Sequence, residues 1–214
     1  MSVITAISAA PRRAGRFEII IDGDACAILS VEEIERLNLS VGRDVTGLED
    51  IIVREGAIVS AFDRALNMLA ARARSSAELC RLLVRKGEEQ SIAELVVARL
   101  QQRGLVDDAA FAMAFVRSKV VVARHSKRRV QMELARKGVA REVSDAAIRH
   151  VFEDEGVDQA ELVEAVARKK LRTLGGVEPA VRRRRVYAFL ARRGYDGDDI
   201  RRAMEAVGEE MRDS

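Results

Sequence analysis

Tryptophan is absent from this 214-residue chain, and aromatic residues make up only 4% of it. Proline, cysteine and histidine occur twice each. So few prolines leave long stretches free to be helical. Cys26 and Cys80 stand alone, cannot form a disulfide framework, and suit a reducing compartment. His125 and His150 lie far from both cysteines in sequence, so no metal site is expected. No run of about 18 apolar residues exists, which argues against a membrane-spanning helix. Met1 to Arg13 has no apolar core long enough for a signal peptide, so the cytoplasm is the expected compartment. CxxC, HExxH and glycine-rich phosphate loops are all missing. No nucleophile, acid–base pair or metal constellation emerges, so a protein that is not an enzyme and needs no cofactor is expected.

What is present is charge and aliphatic carbon. Charged residues make up 33% and hydrophobic residues 48%, too apolar for a disordered chain. The formal net charge is only +3. That total hides a division. Residues 1–60 hold six Lys+Arg against ten Asp+Glu, a net of −4, whereas residues 61–214 hold 31 against 24, a net of +7.

The acidic segment reads as a small α+β module over residues 1–46. Phe17 to Ile21 is an apolar, β-branched run, Asp22-Gly23 is a hairpin signal, and Ala25 to Leu29 returns as a second strand. Val3 to Ile7 offers a third. Ser30-x-x-Glu33 is a capping box for a short helix ending near Leu37. A module this small is expected to dock on the helices C-terminal to it. Thr46-x-x-Glu49 reads as another capping box. Leu48 to about Arg72 is helix-permissive apart from Gly56, where a kink or break is expected.

Beyond residue 60 the pattern repeats. An apolar residue, three others, Leu, a small or β-branched residue, two basic residues and Gly occur three times. The segments run from Leu79 through Leu83 to Gly87, from Val130 through Leu134 to Gly138, and from Val186 through Leu190 to Gly194. The glycines are 51 and 56 residues apart. A period of this size implies three tandem three-helix units, over residues 47–106, 107–155 and 156–214. The apolar pair marks the buried stripe, the basic pair faces the negative end of the helix dipole, and the glycine supplies the left-handed stop. Leading helices are read at Ala61 to Arg72 with Leu66, Leu69 and Ala70 inward, at Ala109 to Val122 after a cap at Asp107 or Asp108, and after Asp158. Ser75-x-x-Glu78 caps the first middle helix, and Ser91-x-x-Glu94 caps the helix after it. Asp196 or Asp198 caps the last helix. The fold class is therefore mainly α, with a small N-terminal hairpin-plus-helix module.

Four motifs give this order of helices a resemblance to a known family. The first runs from Ala65-Leu66 through Arg72-x-Arg74-Ser75-x-x-Glu78-Leu79 to Lys86-Gly87. The second is Gly104-Leu105-x-Asp107-Asp108-x-x-Phe111-Ala112-x-x-Phe115-Val116. The third is Glu133-Leu134-x-x-Lys137-Gly138-Val139, and the last is Phe189-Leu190-x-Arg192-Arg193-Gly194-Tyr195. Together, over about residues 61–207, they resemble the RecX family of bacterial regulators of the RecA recombinase. The chain departs from that family's usual residues at Lys119, Ser126 and Tyr195, where Arg, Gly and Phe are usual. The resemblance implies an elongated, curved arm that binds the groove of the RecA filament on single-stranded DNA. It also implies inhibition of the filament's ATPase and strand-exchange activities in recombination and SOS induction. A monomer is expected, touching single-stranded DNA directly or through the filament.

Candidate contacts are the basic clusters: Lys127, Arg128 and Arg129; Lys169 and Lys170; Arg182, Arg183, Arg184 and Arg185; and Arg192. Helical phase puts Arg184, Arg185 and Arg192 away from the core and Arg182 and Arg183 nearer to it. Phe111, Phe115 and Phe189 share the phase of other apolar residues and read as core rather than base-stacking platforms. A different function fits three-helix units as well: a helix-turn-helix protein that reads one duplex sequence. No helix N-terminus rich in Asn, Gln and Arg favours it.

Overall fold

The computed structural model describes residues 1–11 and 13–208. The chain forms two compact units, Met1–Val106 and the residues from Asp107 onward. No described helix is long and apolar enough to cross a membrane.

The first unit opens with an antiparallel sheet, β1 (Ile4–Ala9), β2 (Arg16–Ile21) and β3 (Asp24–Ser30), paired in that order. Asp22 and Gly23 both have positive φ, 51° and 92°, the backbone of a type I′ hairpin turn. Ser30 then caps α1 (Val31–Arg36), its hydroxyl oxygen accepting from the Glu33 amide. Helix α2 (Glu49–Ala71) comes next and carries two cores at once. Ile52 and Val59 join Ile4, Ile19 and Leu29 of the sheet. Ile58, Ala61 and Ala65 join Leu79 and Leu83 of α3 (Ser76–Arg85) and Val96 and Leu100 of α4 (Gln90–Gln102). The N-terminal module thus docks through a helix it shares with the first repeat.

The second unit contains two further three-helix sets. The first is α5 (Asp108–Arg117), α6 (Lys127–Arg136) and α7 (Arg141–Arg149), with π-helical turns at Ser118–Val122 and His150–Asp154. The second is α8 (Gln159–Arg172), α9 (Pro179–Arg192) and α10 (Gly197–Ala206). Each set has its own core cluster, around Val130 and Leu134 in one and around Val186 and Leu190 in the other.

The repeated segment has one geometry in all three places. Its apolar pairs are fully buried. Gly87, Gly138 and Gly194 have φ of 98°, 80° and 84°. The amide just past the glycine donates to the carbonyl of the buried leucine each time: Glu88 to Leu83, Val139 to Leu134, and Tyr195 to Leu190. The glycine amides donate to Val84, Ala135 and Ala191. This pair of bonds is the Schellman closure, and it needs the left-handed residue that glycine supplies.

Several expectations are corrected. Helix α2 runs through Gly56 without a break, because Gly56 is buried against β3. A Cβ there would lie 2.8 Å from the Ala27 Cβ and 3.4 Å from the Ile28 nitrogen. Thr46 caps no helix: α2 starts after Leu48, and the Thr46 hydroxyl donates to Asp44 Oδ1 at 2.6 Å. Ser91 lies inside α4, which starts after Glu89 with no side-chain cap, and its hydroxyl donates to Glu89. Ala70 is exposed; Leu66 and Leu69 are half-buried against the core that Ile58, Ala61 and Ala65 of α2 enter fully. The open choices of cap resolve to Asp107 and Asp196, whose carboxylates accept from the amides of the first turn.

Candidate interaction surface

The basic residues of the second unit fall into two groups by what they touch. Arg129 is committed locally. It donates through Nε to Glu133 Oε1 at 2.9 Å and through Nη1 to the Arg192 carbonyl. Lys127 lies over the Phe152 ring, 4.4 Å from its centroid, and Lys170 lies 5.4 Å from that of Phe189. Arg182 leaves the set of candidates. It is buried, in the same stripe as Val186 and Leu190, and donates to the Val177 carbonyl at 3.1 Å. The spacing of four from Arg182 to Val186 to Leu190 puts all three on one face.

Arg128, Lys169, Arg183, Arg184, Arg185 and Arg192 form the other group. All six are exposed, and none forms an ion pair among the described residues. Helix α9 explains why three of them lack partners. It has no acidic residue from Pro179 to Arg192, so no i,i+4 pair forms along it. Nor does the helix dipole favour Arg183, Arg184 and Arg185, since they lie in its first half, whereas cations gain at the other end. Local electrostatics therefore offer no reason for this cluster. Arg192 differs, standing in the last turn where the dipole is favourable.

Two cations of the repeat, Lys137 and Arg193, and Lys119 beside them have structural work. Lys137 lies 5.7 Å and 5.5 Å from the rings of Phe111 and Phe115, and Lys119 lies 5.3 Å from Phe115. Arg193 lies 4.8 Å from the Phe189 ring. Each phenyl ring packs against a core cluster on one side and meets a cation within cation–π range. Lys119 also pairs with Glu133 at 3.4 Å.

A seam between the second and third repeats was not legible in local patterns. Ser126 caps α6, accepting from the Arg129 amide, and its hydroxyl donates to the Gly194 carbonyl at 2.6 Å. Arg193 donates to the Ala123 carbonyl, and the Tyr195 hydroxyl donates to that of Arg124 at 2.9 Å. Burial pushes the Tyr195 phenol up to about 12, so it stays a donor even where an ordinary tyrosine would ionise. Gly194 is needed twice here. Beyond its positive φ, a Cβ would lie 2.7 Å from the Arg129 Cβ and 2.8 Å from Ser126 Oγ. Two of the three departures noted above, Ser126 and Tyr195, thus make hydrogen bonds across the seam. Past the second π-helical turn, Glu155 accepts from Arg117 Nε at 2.7 Å.

Comparison with known proteins bears on this arrangement. Residues 61–100, 107–148 and 157–204 match the family models for the first, second and third three-helix domains of RecX. A protein of Chlorobaculum tepidum named regulatory protein RecX is 37% identical over 158 residues, covering 73% of this chain and 94% of that one. One of the same name from Mycolicibacterium vanbaalenii is 41% identical over 137 residues, covering 61% and 73%. A crystal structure of a regulatory protein RecX aligns over 98% of this chain and all of its own, with a TM-score of 0.75 at 22% identity. The structure of RecX from Lactobacillus salivarius covers 71% of this chain and 97% of its own, with a TM-score of 0.58 at 17% identity.

Proposed function

The chain belongs to the RecX family, and from that premise we propose that it regulates the RecA recombinase. In this reading it binds the groove of the RecA filament on single-stranded DNA and inhibits ATP hydrolysis and strand exchange. It acts as a cytoplasmic monomer, and as a binding protein rather than an enzyme. Residues 47–106, 107–155 and 156–214 are its three repeats, with residues 1–46 an appended module. The observation that carries the reading is the run Arg183, Arg184 and Arg185, exposed on a helix without acids. Such a run fits an anionic surface outside the chain, either phosphate or acidic protein. A sequence-specific duplex reader needs Asn, Gln and Arg aimed at base edges from one helix N-terminus, and α9 carries neither Asn nor Gln.

The test is RecA-dependent ATP hydrolysis on single-stranded DNA. The wild-type chain inhibits it, and the variant with Arg184→Glu and Arg185→Glu inhibits it at least about tenfold less well, at unchanged helicity. Binding to the filament weakens with salt, and the double variant lowers the slope of log K against log salt by about two if both residues meet phosphate. No inhibition by excess wild-type protein overturns the reading. Tight binding to one duplex sequence, about 1000-fold or more over random duplex, establishes the other.

A further inference from the structure

A cleft of about 570 Å³ lies at the seam described above, between residues 121–125 and the facing sides of α8 and α9. Arg124, Lys169, Lys170 and Arg193 line it together with Val121 and Val122. No acidic residue is among its lining. We propose that this cleft binds an acidic peptide strand bearing an aliphatic side chain: its carboxylates meet the four cations, and its apolar side chain covers Val121 and Val122.

Three observations support the assignment. First, the two valines are exposed although their neighbour Val120 is fully buried. Val121 is 54% and Val122 80% accessible. They lie on the π-helical turn Ser118–Val122, which closes by the Ala123 amide donating to the Ser118 carbonyl. A π-helical turn is wider than an α-helical one and recurs at functional sites. Second, Arg124 is held at φ 52°, a left-handed conformation uncommon for a side chain other than Gly, Asn or Asp. Its carbonyl is fixed by the Tyr195 hydroxyl, and the preceding carbonyl by Arg193. The wall of the cleft is thus preorganised, with its carbonyls already bonded. Third, the cleft offers poor chemistry for a nucleic acid. Its one phenyl ring, Phe189, has Lys170 and Arg193 over it, and the His125 side chain is only 13% accessible, so neither ring is free for base stacking. What remains is positive charge beside aliphatic surface, which suits carboxylates beside a Leu, Ile or Val.

Peptide binding at the cleft is independent of the filament reading, and its test contains no RecA. Fluorescence anisotropy with the full chain uses three probes: a labelled peptide of alternating Glu and Leu, the same peptide with every Leu replaced by Ser, and labelled oligo-dT. The Glu–Leu peptide is expected to bind at low salt at least about tenfold more tightly than the Glu–Ser peptide. Val122→Ser weakens it by about tenfold, a change at an exposed position that leaves the fold intact. Lys169→Glu with Lys170→Glu abolishes it, whereas Arg184→Glu, outside the cleft, changes it less than about twofold. Any of three results overturns the proposal. The Glu–Leu peptide fails to bind or binds no better than Glu–Ser, Arg184→Glu weakens it as much as the lysine changes, or oligo-dT binds more tightly through the same residues.

Discussion

His125 shows how one side chain couples the seam to pH. It stands between α5 and α6, 3.3 Å from Glu133 through Nδ1, with Lys119, Arg129 and Arg193 around it. Burial pushes its imidazole down, Arg129 pushes it further, Glu133 opposes, and Lys119 and Arg193 add to the lowering. Burial also pushes the Glu133 carboxyl up, but the Arg129 hydrogen bond and the charges of Lys119 and His125 hold it below its usual value. His125 is therefore neutral in the fold at neutral pH. As pH falls through about 6.5, the unfolded chain takes up a proton before the folded chain does, and stability is lost. Acidification from about pH 7.5 to about pH 5 is expected to lower the denaturation midpoint of the wild type more than that of His125→Gln. Equal slopes for the two proteins would remove His125 from the account. Glu133 acts in a separate, lower window, below about pH 4.5, because its folded value is depressed.

At the scale of elements, the repeat grammar was legible because it is local. The spacing of Leu79 and Leu83, Val130 and Leu134, or Val186 and Leu190 is a helix-face signal, and the glycine four residues further on is a stop signal. The core of the middle repeat rests on the same spacing. Leu134→Ala, at a fully buried site, is expected to cost about 2–5 kcal/mol in urea denaturation. A loss well under that would mean the site collapses around the change. Caps were less legible. Ser30 and Ser75 do cap their helices, but Thr46 and Ser91 sit in the same Ser/Thr-x-x-Glu pattern and do not. The pattern supplies a hydroxyl; which amide it meets depends on neighbours, here Asp44 and Glu89. Gly56 misled for a different reason. Helix propensity counts glycine as a break, but close approach of β3 requires it. Gly56→Ala is expected to lower stability, because overpacking of about 1–3 kcal/mol outweighs a propensity gain of about 1 kcal/mol. A raised urea midpoint would show that Ala27 moves aside without cost.

At the scale of the whole molecule, the division of charge survives folding: the sheet belongs to the acidic segment, and the arginine run belongs to the second unit. The charge alone did not reveal that the acidic module shares a helix with the first repeat. Ile52 and Val59 face the sheet, while Ile58, Ala61 and Ala65 face α3 and α4. Removing residues 1–46 would leave Ile52 and Val59 uncovered on α2. The truncated chain is expected to lose several kcal/mol in the first unit, from the burial of those side chains at about 1.5–3 kcal/mol each, and to show more exposed apolar surface by dye binding. A truncated first unit with an unchanged melting transition would mean that the module is merely attached. The candidate contacts divide along the same lines. Exposure of Arg184 and Arg185 was readable from helical phase, and so was the inward position of Arg182, but Arg183, read as nearer the core, is exposed because the buried stripe runs through Arg182, Val186 and Leu190. The cleft was not, because it joins residues 121–125 to Phe189 and Arg193, which are distant in sequence.

The Ser126–Gly194 hydrogen bond spans 68 residues, and this has a consequence during synthesis. At about 5–20 residues per second, a ribosome needs roughly 3 to 14 s to go from one partner to the other. Once α7 and the turn through Asp154 have been made, the second repeat has the residues of its own Schellman closure and leucine core, but the Ser126 hydroxyl, the Ala123 and Arg124 carbonyls and the Arg129 guanidinium still await their partners. The last stretch translated completes a structure begun much earlier. A stall or a premature stop codon after Asp154 and before Gly194 would therefore release a chain whose middle repeat is complete but whose seam is open to water and to proteases.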